Sequence, residues 1–161
     1  MPLVDPADGT VLDILNRLID LLTADAQTVN LFTFPIRIMP IDNILIGDDV
    51  TVAIFSPDFN LMPQTLSTLK VSPRVIMAVT AVEAKTLSAG DVADLYTRIM
   101  AISTVLYTLV WKYRRDPTAG DCKWYSLRFL QQPATGDFMR RPQEFQQVRF
   151  QFVINTETAN P

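Results

Sequence analysis

The sequence has no histidine and a single cysteine, Cys122. Histidine is the commonest general base and metal ligand, so its absence excludes Ser-His-Asp and Cys-His catalysis and Cys/His zinc sites, and a lone cysteine cannot close a disulfide within the chain. Carboxylate, lysine or tyrosine chemistry is what remains. Glycine is sparse: Gly9, Gly47, Gly90, Gly120 and Gly136 stand singly, so no glycine-rich phosphate cradle exists. Asp48-Asp49 invites a metal reading, but the pair sits in turn chemistry with no third ligand nearby in sequence, and it is read as facing water. Cys122 beside Lys123 is read as a structural cysteine at a strand start. No basic segment followed by an apolar run opens the chain, so no signal peptide is expected and synthesis in a cytoplasm is. No charge falls between Arg98 and Lys112, yet that interval is rich in Thr and Ser and shorter than the roughly 20 apolar residues of a membrane span. No catalytic residue, cofactor, metal or membrane partner is expected.

What the chain does have is apolar content: 48% hydrophobic residues against 19% charged over 161 residues. That composition describes one folded domain, residues 1–161 with loose ends at about 1–9 and 156–161, and leaves apolar surface for other subunits to cover. Charge is polarised along the sequence. Residues 1–60 carry nine acids (Asp5, Asp8, Asp13, Asp20, Asp25, Asp42, Asp48, Asp49, Asp58) against Arg17 and Arg37, whereas the remainder carries eight acids and twelve bases. Solvation of loops and helix faces accounts for such a pattern, and so does a head-to-tail assembly whose subunits present faces of opposite sign.

The stretch Ala89–Arg115 organises the rest. Val92, Leu95, Ile99, Ile102, Leu106, Leu109 and Tyr113 recur on one helical face, and Tyr96, Met100, Val105, Tyr107 and Val110 extend the apolar surface around it. Only the stripe Thr97, Ala101, Thr104, Thr108 tolerates water, so the helix needs cover on more than one side. An earlier amphipathic helix runs from Thr10 to Leu22, with Val11, Leu15, Leu18 and Leu22 on an inward face shared with Leu12, Ile14 and Ile19, and with Asp13, Asn16, Arg17 and Asp20 opposite. Period-two patterns follow at Phe32–Ile38 and Val50–Phe55, read as a meander, with Pro35 placing the first strand at an edge or bulge. Ser56–Ser72, broken by Pro57 and Pro63, is expected to be a long excursion with one helical turn. Arg74–Val82, apolar on both alternating sets, is a central strand. Trp124–Leu130 and Gln146–Ile154 are two further strands, and residues 131–143 between them are expected to form a mobile arm that carries Arg140 and Arg141. An α+β domain follows: a mainly antiparallel sheet of four to five strands with the N-terminal amphipathic helix and the long buried helix packed on it. The basic and aromatic residues around Tyr113 and Trp124 are assigned to helix-end complementarity and strand packing rather than to nucleic-acid binding.

In this order of elements the chain resembles the tail terminators of long-tailed bacteriophages and related head-to-tail joining proteins. The resembling features are the capped helix Thr10–Leu22, the strands after it, the long helix Ala89–Arg115, and the closing strand pair with its proline-containing arm. The resemblance implies a non-enzymatic virion protein of the tail or neck, assembled in the host cytoplasm. It implies a homo-oligomeric ring, a hexamer, that caps the tail tube protein and is docked by the head connector or stopper protein, with DNA passing through without sequence recognition. Lys112, Arg114, Arg115, Arg140 and Arg141 are expected at a subunit or partner interface, and Asp42, Asp48 and Asp49 as acids facing the lumen. A head-completion protein or tube subunit, and a cytoplasmic small-ligand-binding α+β domain with a pocket between long helix and sheet, are the alternative readings.

Overall fold

Strict alternation along the last strand defines the two sides of the molecule. Val148, Phe150, Phe152 and Ile154 are fully buried, whereas Arg149, Gln151 and Val153 between them are only half-buried. The computed structural model describes residues 11–25, 36–39, 50–63, 68–82, 89–117, 124–134 and 145–159. They form α1 (Val11–Ala24), β1 (Ile36–Ile38), β2 (Val50–Pro63), β3 (Thr68–Val82), α2 (Ala89–Lys112), β4 (Ser126–Ala134) and β5 (Phe145–Ala159). The strands build one mixed sheet in the order β1-β2-β3-β5-β4. The fold is α+β, with α1 against β1 and β2, and α2 against β3, β4 and β5.

Register explains why one face is apolar. Val52 pairs with Val79 and Ile54 with Met77; across the next ladder Met77 meets Phe150 and Val75 meets Phe152, and Phe152 meets Phe129 of β4. Because side chains alternate along every strand, these in-register positions share the side on which the helices lie. From α1 come Ile14, Leu15, Leu18 and Leu22, and from α2 Ile99, Ile102, Leu106, Leu109 and Val110, all in the same core, whereas Leu12, expected on the inward face of α1, is exposed because it falls beside Asn16 and Asp20 on the outer side of the helix. Each fully buried side chain of this size contributes about 1.5–3 kcal/mol by leaving water. Thr97, Ala101, Thr104 and Thr108 are exposed, as the sequence predicts, but the exposed side of α2 is wider than that stripe: Tyr96, expected on the covered apolar surface, is exposed beside them, as are Arg98 and Trp111. The Thr104 and Thr108 hydroxyls donate to the carbonyls of Met100 and Thr104, 2.8 and 2.9 Å away.

The opposite face is polar and hydrogen-bonded across strands. Asp58 of β2 receives the Arg74 guanidinium, which also reaches Gln151 of β5, and Gln151 Nε2 donates to Gln131 of β4 at 3.0 Å. Gln147, fully buried, donates to the Thr80 hydroxyl at 2.8 Å and accepts from Arg149 Nε.

Four expectations need correction. Most of Ser56–Ser72 is strand: 56–63 and 68–72 are the outer halves of β2 and β3, paired from Asp58↔Arg74 to Pro63↔Leu69, and 64–67 lie outside the described residues. The prolines that suggest a break are accommodated because Ser56 and Pro57 lie in a bulge opposite a single residue, where no ladder donor is needed, and Pro63 ends the strand. β1 is an edge strand as Pro35 implies, but it runs parallel to β2 rather than in a meander. The expected arm loses Gln131–Ala134 to β4, and its remainder lies outside the described residues. β5 continues to Ala159, so 156–159, expected in a loose end, pairs with Thr68–Val71.

Candidate functional site

The C-terminal end of α2 gathers charge and aromatic surface. Helices leave their last carbonyls without partners, and cations are favoured there. Tyr113 N–H closes the last helical bond to Leu109, and Arg114 donates to the Trp111 carbonyl through both its backbone N–H and its guanidinium, each at 3.2 Å. The same guanidinium lies 4.7 Å from the Trp111 ring centroid. Trp111 stacks at 6.1 Å on Phe129 of β4, itself stacked at 4.1 Å on Tyr107. The turn beyond the helix is tied to β4 by Trp124, whose buried indole N–H donates to the Tyr113 carbonyl at 2.9 Å.

Two carboxylates clasp this end to α1. Asp25, just past α1 and buried, accepts from Lys112 Nζ at 2.7 Å and from the Tyr113 hydroxyl at 2.8 Å. Asp116, with a fully buried side chain, stands 3.5 Å from Arg17 of α1. The hydrogen bond to Asp25 holds the Lys112 ammonium above the ordinary lysine range. Burial raises the Tyr113 phenol first, and its hydrogen bond to Asp25 raises it further. Both groups therefore keep their protons at neutral pH, and the site offers fixed positive charge and donors rather than a proton-transfer group.

Lys112, Arg114 and Arg115 do come together, with Tyr125, Ser126 and Leu127, around an open cleft of about 360 Å³. They are not equivalent. Lys112 is engaged by Asp25 and Arg114 by the helix end, whereas among the described residues Arg115 has no acidic partner and is exposed. Trp111 and Tyr125 beside them are 50% and 44% exposed. Arg140, Arg141, Asp42, Asp48 and Asp49 lie outside the described residues. Sequence reasoning missed Trp111, although a signal was present: the water-tolerant stripe Thr97, Ala101, Thr104, Thr108 continues, at the same spacing, to residue 111. It also missed Asp25, whose role depends on a contact 87 residues away in the chain.

Among the described residues no three His, Cys, Asp or Glu side chains gather as metal ligands, and no helix is long and apolar enough to cross a membrane. No family model matches the chain, and no curated protein does. Among solved structures, the chain is similar to the sheath/tube terminator, in its extended state, of PVC, an extracellular contractile injection system. The identity is 14%, over 94% of this chain and 57% of that one, with a TM-score of 0.49. The chain thus spans little more than half the length of the structure it matches.

Proposed function

We propose that this chain is a structural protein of a phage-type tail, a terminator whose copies close into a ring, a hexamer, on the finished tail tube and present the surface docked by the head connector or stopper protein. It works without catalysis or a cofactor, in the tail or neck of a virion assembled in the host cytoplasm, and DNA passes through its lumen without sequence recognition. Lys112, Arg114 and Arg115, with Arg140 and Arg141, contact a neighbouring subunit or partner. Asp42, Asp48 and Asp49 face the lumen and repel the passing DNA.

The observation that carries this reading is the half-exposed Trp111 and Tyr125 beside Arg114 and Arg115. Tryptophan, tyrosine and arginine are the residues enriched where proteins bind one another, and leaving two such rings in water is unfavourable for a lone subunit. The element order that resembles tail terminators supports the same conclusion. The small-ligand reading needs a cavity between α2 and the sheet, and that space is filled by Ile99, Leu106, Phe150 and Phe152, all fully buried.

Light scattering behind a sizing column over a concentration series, with negative-stain images of each peak, tests the proposal. A closed ring of six with a central hole is expected. Open filaments would identify a tube subunit instead, and a strict monomer that fails to bind tail tubes would refute the terminator role.

A further inference from the structure

We infer that the cleft at the end of α2 in one copy receives the outer stripe of α1 from the next copy, with Arg115 facing Asp20 and the Trp111–Tyr125 surface covering Leu12. The inference rests on the ring reading and names the surfaces by which the ring closes.

Leu12, Asn16, Asp20 and Thr23 are all exposed and follow one another at helical spacing, so they form a single stripe opposite the buried Leu15, Leu18 and Leu22. Leu12 is 47% exposed, and among the described residues Asp20 has no basic partner. The stripe thus offers an apolar anchor and a carboxylate about 12 Å apart along the helix, eight residues at 1.5 Å each. The cleft offers the complement: aromatic surface and a cation, Arg115, with no acidic partner among the described residues.

Within one copy the two surfaces stay open. α1 lies over β1 and β2, whereas Trp111 stacks on β4, the opposite edge of the sheet. Asp25 and Arg17 join α1 to the end of α2 within one copy, yet Leu12, Trp111 and Tyr125 stay about half-exposed, and among the described residues neither Asp20 nor Arg115 forms an ion pair, so these surfaces are left for a neighbour to cover. Edge-to-edge pairing is a poor competitor on the β4 side. That strand is bulged at Leu130 and again across Gln132–Pro133, which interrupts the row of groups a second sheet would need.

Charge reversal tests the pairing on the full chain. Arg115→Glu and Asp20→Arg are each expected to raise the concentration of half-assembly about tenfold or more, and the double variant to return it to within about threefold of the parent. Arg98→Glu, the same charge change at an exposed position elsewhere on α2, is expected to have no effect, and circular dichroism should show every variant folded. If both single variants assemble as the parent does, the contact is wrong and the ring stands. If the singles fail and the double variant does not recover, α1 is not what fills the cleft. If the parent is monomeric throughout and fails to bind tail tubes, the ring and the contact fall together.

Discussion

Asp25 decides whether the end of α2 is held in place. A single carboxylate oxygen accepts from both Lys112 and Tyr113, and the carboxylate is buried whereas the lysine side chain is 57% exposed. The two bonds should therefore differ in value. A hydrogen bond to a charged acceptor contributes about 1.5–3 kcal/mol, and Tyr113 is only half-buried, so Tyr113→Phe is expected to cost about 1.5 kcal/mol. For a chain of this length that lowers the melting temperature by about 3–6 °C. Lys112→Met should cost less, because water already solvates the ammonium. Asp25→Ala removes the shared acceptor and should cost more than either, about 2–3 kcal/mol. Urea denaturation at pH 7 ranks the three variants. The reasoning fails if Lys112→Met is as damaging as Tyr113→Phe, or if Tyr113→Phe leaves the midpoint unchanged. Asp25→Ala should also weaken subunit association, because the cleft loses its anchor to α1.

Further outcomes follow from the same structure. Lys112 and Tyr113 both have folded-state pKa values raised above their ordinary ones, so their contribution to stability is complete below about pH 10 and is lost as pH rises through the raised values. Melting temperatures should fall on the alkaline side, with a shallower fall in Tyr113→Phe. Phe150→Ala, at a fully buried position that touches Tyr107, Phe129 and Phe152, should cost about 3–5 kcal/mol. Phe59→Ala, half-exposed on the outer part of β2, should stay within about 0.5 kcal/mol.

Where burial alone chooses the residues, the sequence was readable. The alternation of β5, the inward face of α1 and the wet stripe of α2 each follow from a single period, because one side of each element meets the core. Ser56–Ser72 was not readable, since a proline signals a break only when its position needs a ladder donor. Pro57 sits in a bulge and Pro63 at the end of β2, and both facts depend on how β2 pairs with β3. The site was half legible. Lys112, Arg114 and Arg115 stood out by charge, but which of them is already engaged depends on Asp25 and Trp111, and those contacts arise only when α1, α2 and β4 meet.

The bulge in β2, opposite Val75, and the gap in the β3–β5 ladder lie close together along β3, on either side of Arg74. Register shifts between Phe55 and Asp58, and no pair joins β3 to β5 across Ser72–Pro73. Along that line side chains take over from the backbone. Ser56 donates to the Arg74 carbonyl at 2.8 Å, Ser72 to Asn155 at 3.0 Å, and Asn155 to Ser126 at 3.0 Å. The sheet is therefore a plate with a stitched crease. On one side the strands are clamped by two helices; on the other Pro57–Asn60 are exposed and the ribbon is held chiefly by its own ladders. Amide exchange should step upward at the crease rather than rise smoothly along β3, and a partner that grips the ribbon could bend it there without disturbing the core.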